Sequence, residues 1–219
     1  MSYLKYKSFL SNFCCNTYII YGKNGDCAII DPGYEGSEGF NEGAALGERL
    51  KYILLTHRHS DHLLAAIPLR KLTGAKIVIH KDDECGLLNP EDSLFPYVSA
   101  HFFAQQECGN ADLLIEDGDT VDIGGDLLTV MHTPGHTAGC VCFVGDGVVF
   151  SGDTIFAGSM GRVDFPTGDV EEMSKSLIKI CNLDESLTLC SGHGEISDIA
   201  TEKNTNPYVR MAKNGTLYD

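Results

Sequence analysis

The stretch THRHSDH, at residues 56–62, holds three of the chain's 8 histidines together with an aspartate. It directly follows KYILL, a compact apolar run typical of a buried strand. A lone histidine is usually a packing residue, whereas clustered imidazole and carboxylate groups are ligands that divalent transition metals prefer. The clustered residues are His57, His59, Asp61 and His62. The chain is therefore expected to fold so that further ligands reach the end of this strand.

Three further candidate ligands stand in similar places, at or just after an apolar run and beside glycine. They are His136 in HTPGHTAG, Asp153 in FSGDTIF and His193 in CSGHG. Glycine lets the backbone turn sharply there and bring the side chain to the edge of a sheet. Any one of them alone would more often be a structural residue. Together with THRHSDH they predict a metal centre built from several strand ends.

The order of short runs predicts a single α/β domain over residues 1–219, built from two similar halves. In the first half LKYKSF, NTYIIYG and CAIIDPG indicate antiparallel strands, and KYILLT and KIVIH indicate buried strands. Helical patterns lie at residues 38–50 and 62–74, and a shorter one lies at KDDECGLL. The second half has the strands TVDIGG, DLLTVMHT, GCVCFVGD and GVVFSGD, the helix DVEEMSKSLIKICN and the strand SLTLCSGH. Strands followed by a helix in each half predict two packed sheets with helices outside, a four-layer arrangement.

Charge and cysteine content narrow the class of protein. The formal net charge of -15 disfavours nucleic-acid binding, because phosphate neutralisation needs clustered cations and the chain has 16 Lys and Arg against 31 acids. No run reaches the roughly 18 apolar residues of a membrane span, and no export signal is recognisable, so no membrane contact is expected. Scattered cysteines then predict reduced thiols and a cytoplasmic protein.

The motifs HxHxDH, HTPGHTAG, SGDTIF and a late GHG, in this order, resemble the metallo-β-lactamase-fold hydrolase superfamily over nearly the whole chain. Within it, GSMGRVDFPTGD is similar to the glyoxalase II, or hydroxyacylglutathione hydrolase, branch. The resemblance implies a four-layer αβ/βα sandwich of two mixed sheets, with the site at one edge between them. It also implies hydrolysis of a small-molecule thioester or ester at two divalent metal ions, most simply zinc, with iron or manganese as alternatives.

The same resemblance implies a role for each candidate ligand. One ion is held by His57, His59 and His136, the second by Asp61, His62 and His193, and Asp153 bridges both. Asp61 and Asp153 are the residues expected to take a direct part in catalysis. Paired ions about 3.5–4 Å apart can hold a water, lower its pKa towards about 7 and polarise the carbonyl under attack. A thiolate leaves readily, so a thioester needs no separate general acid.

Two other functions are compatible with the sequence. Persulfide dioxygenases share the fold and a similar GRxDF loop but use one iron, for which His57, His136 and Asp153 would be the ligands. A non-enzymatic metal-binding protein is the second alternative, although seven ligands with an open coordination position exceed what structure requires. The chain is short after His193, so no separate C-terminal glutathione-binding helical domain is expected and the thiol of the substrate stays open. No oligomeric state is predicted.

Residues 89–112 lack clear periodicity and include several aromatic side chains. They predict a lid over the site or a partner contact, with ordinary surface packing as the other interpretation. His80 is predicted to be structural and His101 to be exposed. Contact with substrate, or support of the ligands from behind, is predicted for Arg162, Asp164, His132, Tyr97 and Phe102.

Overall fold

The computed structural model describes residues 3–217, and its first sheet has six strands that lie side by side in chain order. The first three pair antiparallel, and from the third onward neighbouring strands are parallel. The antiparallel start predicted from the sequence is therefore confirmed. The strands are β1 (Lys5–Phe9), β2 (Thr17–Tyr21), β3 (Cys27–Ile30), β4 (Leu50–Leu54), β5 (Lys76–His80) and β6 (Leu113–Ile115).

The second sheet also has six strands, formed by the second half of the chain. Its strands are β7 (Thr120–Ile123), β8 (Asp126–His132), β9 (Val141–Gly145), β10 (Val148–Gly152), β13 (Thr188–Ser191) and β14 (Ser197–Asp198). They lie in the order β14-β13-β10-β9-β8-β7, and the β10–β13 pair is parallel while the others are antiparallel. A small hairpin of β11 (Ile155–Phe156) and β12 (Ser159–Met160) follows β10.

Helices of different lengths connect and cover the sheets. They are α1 (Glu38–Ala45), α2 (Ser60–Leu63), α3 (Ala66–Thr73), α4 (Cys85–Leu88), α5 (Phe95–Val98), α6 (Val170–Ile180), α7 (Ile199–Thr205) and α8 (Pro207–Asn214). Short 3₁₀ turns occupy Gly47–Arg49 and Lys81–Asp83. Within residues 3–217, no helix combines the length and the apolar character needed to span a lipid bilayer.

Apolar side chains from the facing surfaces of the two sheets form the central core. Ile20, Ile30 and Leu54 of the first sheet and Phe143 and Phe150 of the second belong to one buried cluster. A second cluster packs the outer face of the first sheet against α1 and α3, and a third packs the outer face of the second sheet against α6 and α8. The protein is thus a four-layer αβ/βα sandwich of two mixed sheets with helices outside, which confirms the predicted fold class.

The helix predicted over residues 62–74 is divided into α2 and α3. The Ala65 N–H donates to the carbonyl oxygen of Gly33 at 2.9 Å, and not to the Asp61 carbonyl that a continuous helix would use. The Asp61 carbonyl instead accepts from the Cys14 thiol at 2.8 Å. Two contacts from distant parts of the chain therefore interrupt the helix. The end of α3 is where the sequence placed it, because Gly74 adopts the left-handed conformation at φ 75°.

The helices α7 and α8 were not predicted from the sequence. Asn206 caps α8 by accepting from the backbone N–H groups of Tyr208 and Val209, and Pro207 occupies the first helical position. Asp198 caps α7 in the same way. An asparagine followed by proline is a recognised start of a helix, so the sequence NTNPY contained the signal for α8.

Candidate metal centre

The seven predicted ligands lie close together at one edge of the sandwich. Four come from the loop after β4 and the first turn of α2, and the other three follow β8, β10 and β13. Both sheets therefore contribute to one site. The residues brought together are His57, His59, Asp61, His62, His136, Asp153 and His193.

Three histidines form the first group of possible ligands. His57, His59 and His136 are buried, and one ring nitrogen of each lies within 4.8 Å of the others. His59 Nδ1 and His136 Nε2 are 2.8 Å apart. Three imidazoles around one point are a ligand set suited to a divalent transition metal.

A second group lies beside the first and consists of Asp61, His62 and His193. His62 Nε2 is 3.3 Å from His193 Nε2, and Asp61 Oδ2 is 3.4 Å from His193 Nε2 and 3.8 Å from His62 Nε2.

Asp153 lies between the two groups. Its Oδ1 is 3.3 Å from His62 Nε2, and its Oδ2 is 3.5 Å from both His136 Nε2 and His193 Nε2. This carboxylate is therefore within reach of ions held in either group.

The arrangement fits metal ions better than it fits a closed hydrogen-bond network. With metal–nitrogen distances of about 2.0–2.1 Å, two ligand atoms of a tetrahedral site lie about 3.3 Å apart, close to most of the distances above. His57 Nε2 and Asp153 Oδ1 are buried and have no hydrogen-bond partner in the described residues. Such atoms cost about 1–3 kcal/mol each when left unsatisfied. A cation between the groups would provide their missing partner.

Residues behind the histidines hold their rings in position. Asp31 Oδ2 lies 2.9 Å from His62 Nδ1, and the backbone carbonyl of Arg162 lies 2.7 Å from His136 Nδ1. In each case the outer nitrogen can donate its proton, which leaves the inner nitrogen free to bind a metal.

Thr56 plays the same part for His57. Its hydroxyl donates to Asp31 Oδ2 at 2.6 Å, and its oxygen lies 3.1 Å from His57 Nδ1. Asp31 is not among the residues predicted from the sequence, although a carboxylate directly after the buried run CAII was a signal for it.

Burial keeps two histidines of the first group neutral. It lowers the pKa of His57 well below its usual range and lowers the pKa of His59 to about 3. Both rings are therefore unprotonated at neutral pH and present a lone pair without the loss of a proton.

In the second group, the two histidines have raised pKa values. Burial disfavours the charge on His62, but the carboxylates of Asp153, Asp31 and Asp61 outweigh it and raise its pKa well above the usual value. Burial is likewise outweighed at His193, whose pKa Asp153 and Asp61 raise to about 10. Without a cation, this group therefore holds protons that a metal must displace.

Glycines next to the ligands leave room for their close approach. A Cβ atom on Gly192 would lie 2.2 Å from Asp153 Oδ1 and 2.8 Å from His62 Cε1. A Cβ on Gly161 would lie 1.9 Å from the carbonyl oxygen of Asp153. The motifs SGHG and GSMG therefore need glycine at these positions for steric reasons.

A family model described as the metallo-beta-lactamase superfamily matches residues 13–193, a range that includes all seven clustered residues. The chain belongs to the metallo-β-lactamase superfamily. It is thus a member of a superfamily of metal-dependent hydrolases, as its motifs indicated.

Two relatives within the superfamily are similar over nearly their whole length. The chain is 33% identical to an uncharacterised protein of Mycobacterium tuberculosis over 210 residues, which covers 89% of this chain and 92% of that one. It is 32% identical over 200 residues to the hydroxyacylglutathione hydrolase GloC of Haemophilus influenzae, again covering 89% and 92%. The resemblance to glyoxalase II relatives is therefore confirmed.

Solved structures of the superfamily have the same fold. The BLEG-1 B3 metallo-beta-lactamase superposes with a TM-score of 0.83 at 30% identity, covering 94% of this chain and 99% of that one. TTHA1623, solved in a di-iron-bound form, gives 0.78 at 29% identity, covering 91% and 98%. ETHE1 from Myxococcus xanthus gives 0.75 at 23% identity, covering 96% and 90%, and is similar in fold alone.

Two cavities adjoin the candidate metal centre. We call the first, of about 330 Å³, the aromatic cavity, and the second, of about 340 Å³, the arginine cavity. Both are bordered by Asp61, Val98 and His193, so the two cavities meet at this edge of the candidate metal centre. The aromatic cavity is also lined by Ser11, Phe13, Cys14, Ser99, Phe102 and Phe103. The arginine cavity is also lined by three candidate ligands, His59, His136 and Asp153, and by Phe156, Met160, Arg162 and Phe165.

Arg162 and Asp164, which were predicted near the substrate, form an ion pair. Arg162 Nε and Nη2 donate to the two carboxylate oxygens of Asp164 at 2.6 and 2.7 Å. These bonds lower the pKa of Asp164 to about 2. The guanidinium also stacks 3.8 Å from the ring centroid of Phe165. Arg162 is therefore both a wall of the arginine cavity and, through its backbone carbonyl, a support for His136.

The aromatic residues named from the sequence occupy different places. Phe102 lines the aromatic cavity. Tyr97 is 70% exposed and does not line either cavity. His101 is exposed, as the sequence suggested.

His132 and His80 lie together and apart from the seven clustered residues. Their rings stack at 4.3 Å with an interplanar angle of 6°, and His132 Nε2 lies 2.8 Å from the carbonyl oxygen of Ala138. Asp82 is near, with Oδ2 3.6 Å from His80 Nδ1. The lone pairs of two parallel rings point in parallel planes and do not converge, so a packing role suits this pair better than a metal site.

Proposed function

We propose that the chain is a thioester hydrolase that uses two divalent metal ions. The observation that carries this proposal is the pair of three-ligand groups with Asp153 between them. The similarity to hydroxyacylglutathione hydrolase GloC supports a thioester as the substrate class. Both sheets contribute ligands, which supports one catalytic domain, and the free thiols of all nine cysteines support a reducing compartment such as the cytoplasm.

In this proposal His57, His59 and His136 would hold one ion, Asp61, His62 and His193 would hold the other, and the Asp153 carboxylate would be available to both. Such a pair of ions supplies a nucleophile by lowering the pKa of water and a Lewis acid that polarises the substrate carbonyl. The nitrogen-rich ligand set suits zinc, and iron or manganese are alternatives. The di-iron form of TTHA1623, a relative at 29% identity, supports iron as one of them.

The residues of the chain then orient the reaction. Asp61 borders both cavities and has a partly exposed carboxylate, so it can accept a hydrogen bond from the attacking water. Val98, Phe102 and Phe103 line the approach to the site. A thiolate is a stable leaving group near neutral pH, because a thiol pKa is about 8.5. The reaction therefore does not need a separate general acid on the far side of the site.

The one-iron dioxygenase is the enzyme alternative. It would use His57, His136 and Asp153 and would leave the group of Asp61, His62 and His193 without a role. The completeness of that second group favours the hydrolase.

The first experiment measures metal content per chain on protein purified without added metal, S-lactoylglutathione hydrolysis, and oxygen uptake with glutathione persulfide. Two ions per chain with thioester hydrolysis are expected. One iron per chain with oxygen uptake would overturn the proposal.

Substitution of the ligands tests the same proposal. We expect His59→Ala and Asp153→Ala each to lower hydrolysis by at least about a thousandfold and to reduce metal content, with an unchanged circular dichroism spectrum. Asp146→Asn, an exposed carboxylate in the turn between β9 and β10, is the control and should behave as the native chain. Activity retained in either ligand variant would contradict the two-ion assignment.

A further inference from the structure

The aromatic cavity has a wall of three aromatic side chains, Phe13, Phe102 and Phe103, beside the candidate metal centre. Phe13 contacts Phe102 at a centroid distance of 4.7 Å and Phe103 at 6.1 Å. Tyr34 packs against both Phe13 and Phe103, at 5.6 and 5.4 Å. Phe13 comes from the turn after β1, whereas Phe102 and Phe103 come from the segment after α5. Two distant parts of the chain therefore meet to build this wall.

Much of this apolar surface faces solvent. Phe13 is 52% exposed and Phe102 is 63% exposed. Contiguous exposed apolar surface next to polar groups is typical of a binding site. The wall is thus better explained by a ligand than by packing.

Hydrogen bonds connect both sides of the aromatic cavity to residues 57–62, the segment that carries four of the candidate ligands. Ser60 Oγ and Ser99 Oγ are 2.7 Å apart and buried, and the Ser60 N–H donates to the carbonyl oxygen of Ser93 at 2.8 Å. On the other side, the Cys14 thiol donates to the Asp61 carbonyl at 2.8 Å. The cavity is therefore preformed, and a ligand does not have to order its walls.

The side chains that line the aromatic cavity do not suit an anionic group of the substrate. Among the described residues that line the two cavities, Arg162 is the one Lys or Arg, and Asp164 already occupies its guanidinium. The chain as a whole carries a formal charge of -15. Carboxylate and phosphate groups are usually bound by free Arg or Lys side chains. Divalent ions at the candidate centre would attract an anion there, but the aromatic wall would still offer no cationic partner, so an uncharged group suits this cavity.

We propose that the aromatic cavity binds an uncharged apolar group, so that the preferred substrates are thioesters whose arm in this cavity is neutral and apolar. The proposal rests on the thioester hydrolase activity proposed above. The apolar group can belong to the acyl side or to the thiol side, and the chemistry of recognition is the same in both cases.

Four thioesters test this preference. The benzoyl thioester of N-acetylcysteamine carries the ring on the acyl arm, and S-benzyl thioacetate carries it on the thiol arm. The acetyl thioester of N-acetylcysteamine is neutral without a ring, and S-lactoylglutathione is anionic. Burying a ring in the cavity should raise kcat/KM at least about tenfold for one of the two ring compounds over both reference substrates.

Variants assign that preference to the wall. Phe13→Ala and Phe102→Ala should each reduce the ratio between the preferred ring compound and the acetyl thioester at least about fivefold, mainly through KM. Leu72→Ala removes a side chain of similar exposure, 64%, from α3 and should keep the ratio. Metal content should be the same in all three variants.

A binding measurement tests the cavity without catalysis. N-Phenyl-1-naphthylamine is an uncharged dye whose fluorescence rises in apolar surroundings, and it should bind the native protein more tightly than Phe102→Ala. If none of the thioesters is hydrolysed, the proposed function fails and this inference fails with it. If S-lactoylglutathione is the best substrate, or if Phe102→Ala changes neither the ratio nor dye binding, this inference alone is overturned.

Discussion

Asp31 is the residue that connects the two histidine groups from behind. It accepts from the backbone N–H of Thr56 at 2.9 Å and from the Thr56 hydroxyl, and it contacts His62 Nδ1 at 2.9 Å. Asp31 is buried and adopts a left-handed backbone conformation at φ 47°, which is uncommon for a residue other than glycine. The surrounding hydrogen bonds stabilise this conformation, so the position is specified by the site and not by local preference.

Replacement of Asp31 by asparagine should weaken metal binding. The Asp31→Asn side chain keeps the shape but loses the charge that favours the Nδ1 proton of His62, and substitutions behind metal ligands typically cost about 10–100-fold in affinity. Competition with a chromophoric chelator measures the dissociation constant. Asp146→Asn is the control, and equal affinity of both variants would argue against this role of Asp31.

At the scale of elements, α6 shows how local sequence defines a boundary. Asp169 caps the helix by accepting from the N–H groups of Glu171 and Glu172 at 2.8 and 3.0 Å. The buried side chains of Met173, Leu177 and Ile180 follow at helical spacing and pack on the second sheet. The capping aspartate and the apolar stripe are both visible in the sequence DVEEMSKSLIKICN.

Loss of this cap should lower stability without affecting the metal centre. Asp169→Ala is expected to reduce the free energy of unfolding by about 1 kcal/mol and Tm by about 2–4 °C. Asp169→Asn should recover most of the loss, because asparagine is an equally good N-cap. Thermal unfolding followed by circular dichroism measures both variants. A Tm for Asp169→Ala equal to that of the native chain would mean that the cap contributes nothing.

The elements and residues whose signals are local could be predicted from the sequence. The buried strands, α6 and the ligand-bearing loops have apolar runs, caps and glycines that can be recognised within about ten residues. The division between α2 and α3 could not be predicted, because it depends on Gly33 and Cys14, which are distant in sequence. The aromatic wall is a similar case, since Phe13 and Phe103 meet only in the folded chain.

At the scale of the whole molecule, the candidate metal centre joins the two sheets. His57 and His62 follow a strand of the first sheet, whereas His136, Asp153 and His193 follow strands of the second. Ions bound between them would connect the two halves of the sandwich through bonds that the apolar core does not provide. Metal binding should therefore stabilise the global fold and not only the loops.

Removal of the metal should lower Tm by about 10 °C at neutral pH. This applies when the metal-bound sample contains free metal well above its dissociation constant. The difference in Tm between the metal-bound and the metal-free protein should grow as pH rises from 6.5 to about 10. In the metal-free chain the pKa of His193 is raised to about 10, so its stabilising protonation is complete below about 6.5 and is lost as pH rises through 10. Calorimetry with and without a chelator measures this. A difference that shrinks with rising pH would contradict the assignment of His193.

The aromatic and arginine cavities meet at Asp61, Val98 and His193, so the candidate centre opens into both. Under the proposed function, a thioester with one arm in each cavity separates on cleavage into halves that already lie on opposite sides of the reacting carbon. Neither half has to pass the other to reach solvent, so the acid and the thiol can depart in either order. Each product should therefore be able to bind and inhibit the enzyme while the other product is still bound. Slow release of one product should not delay release of the other.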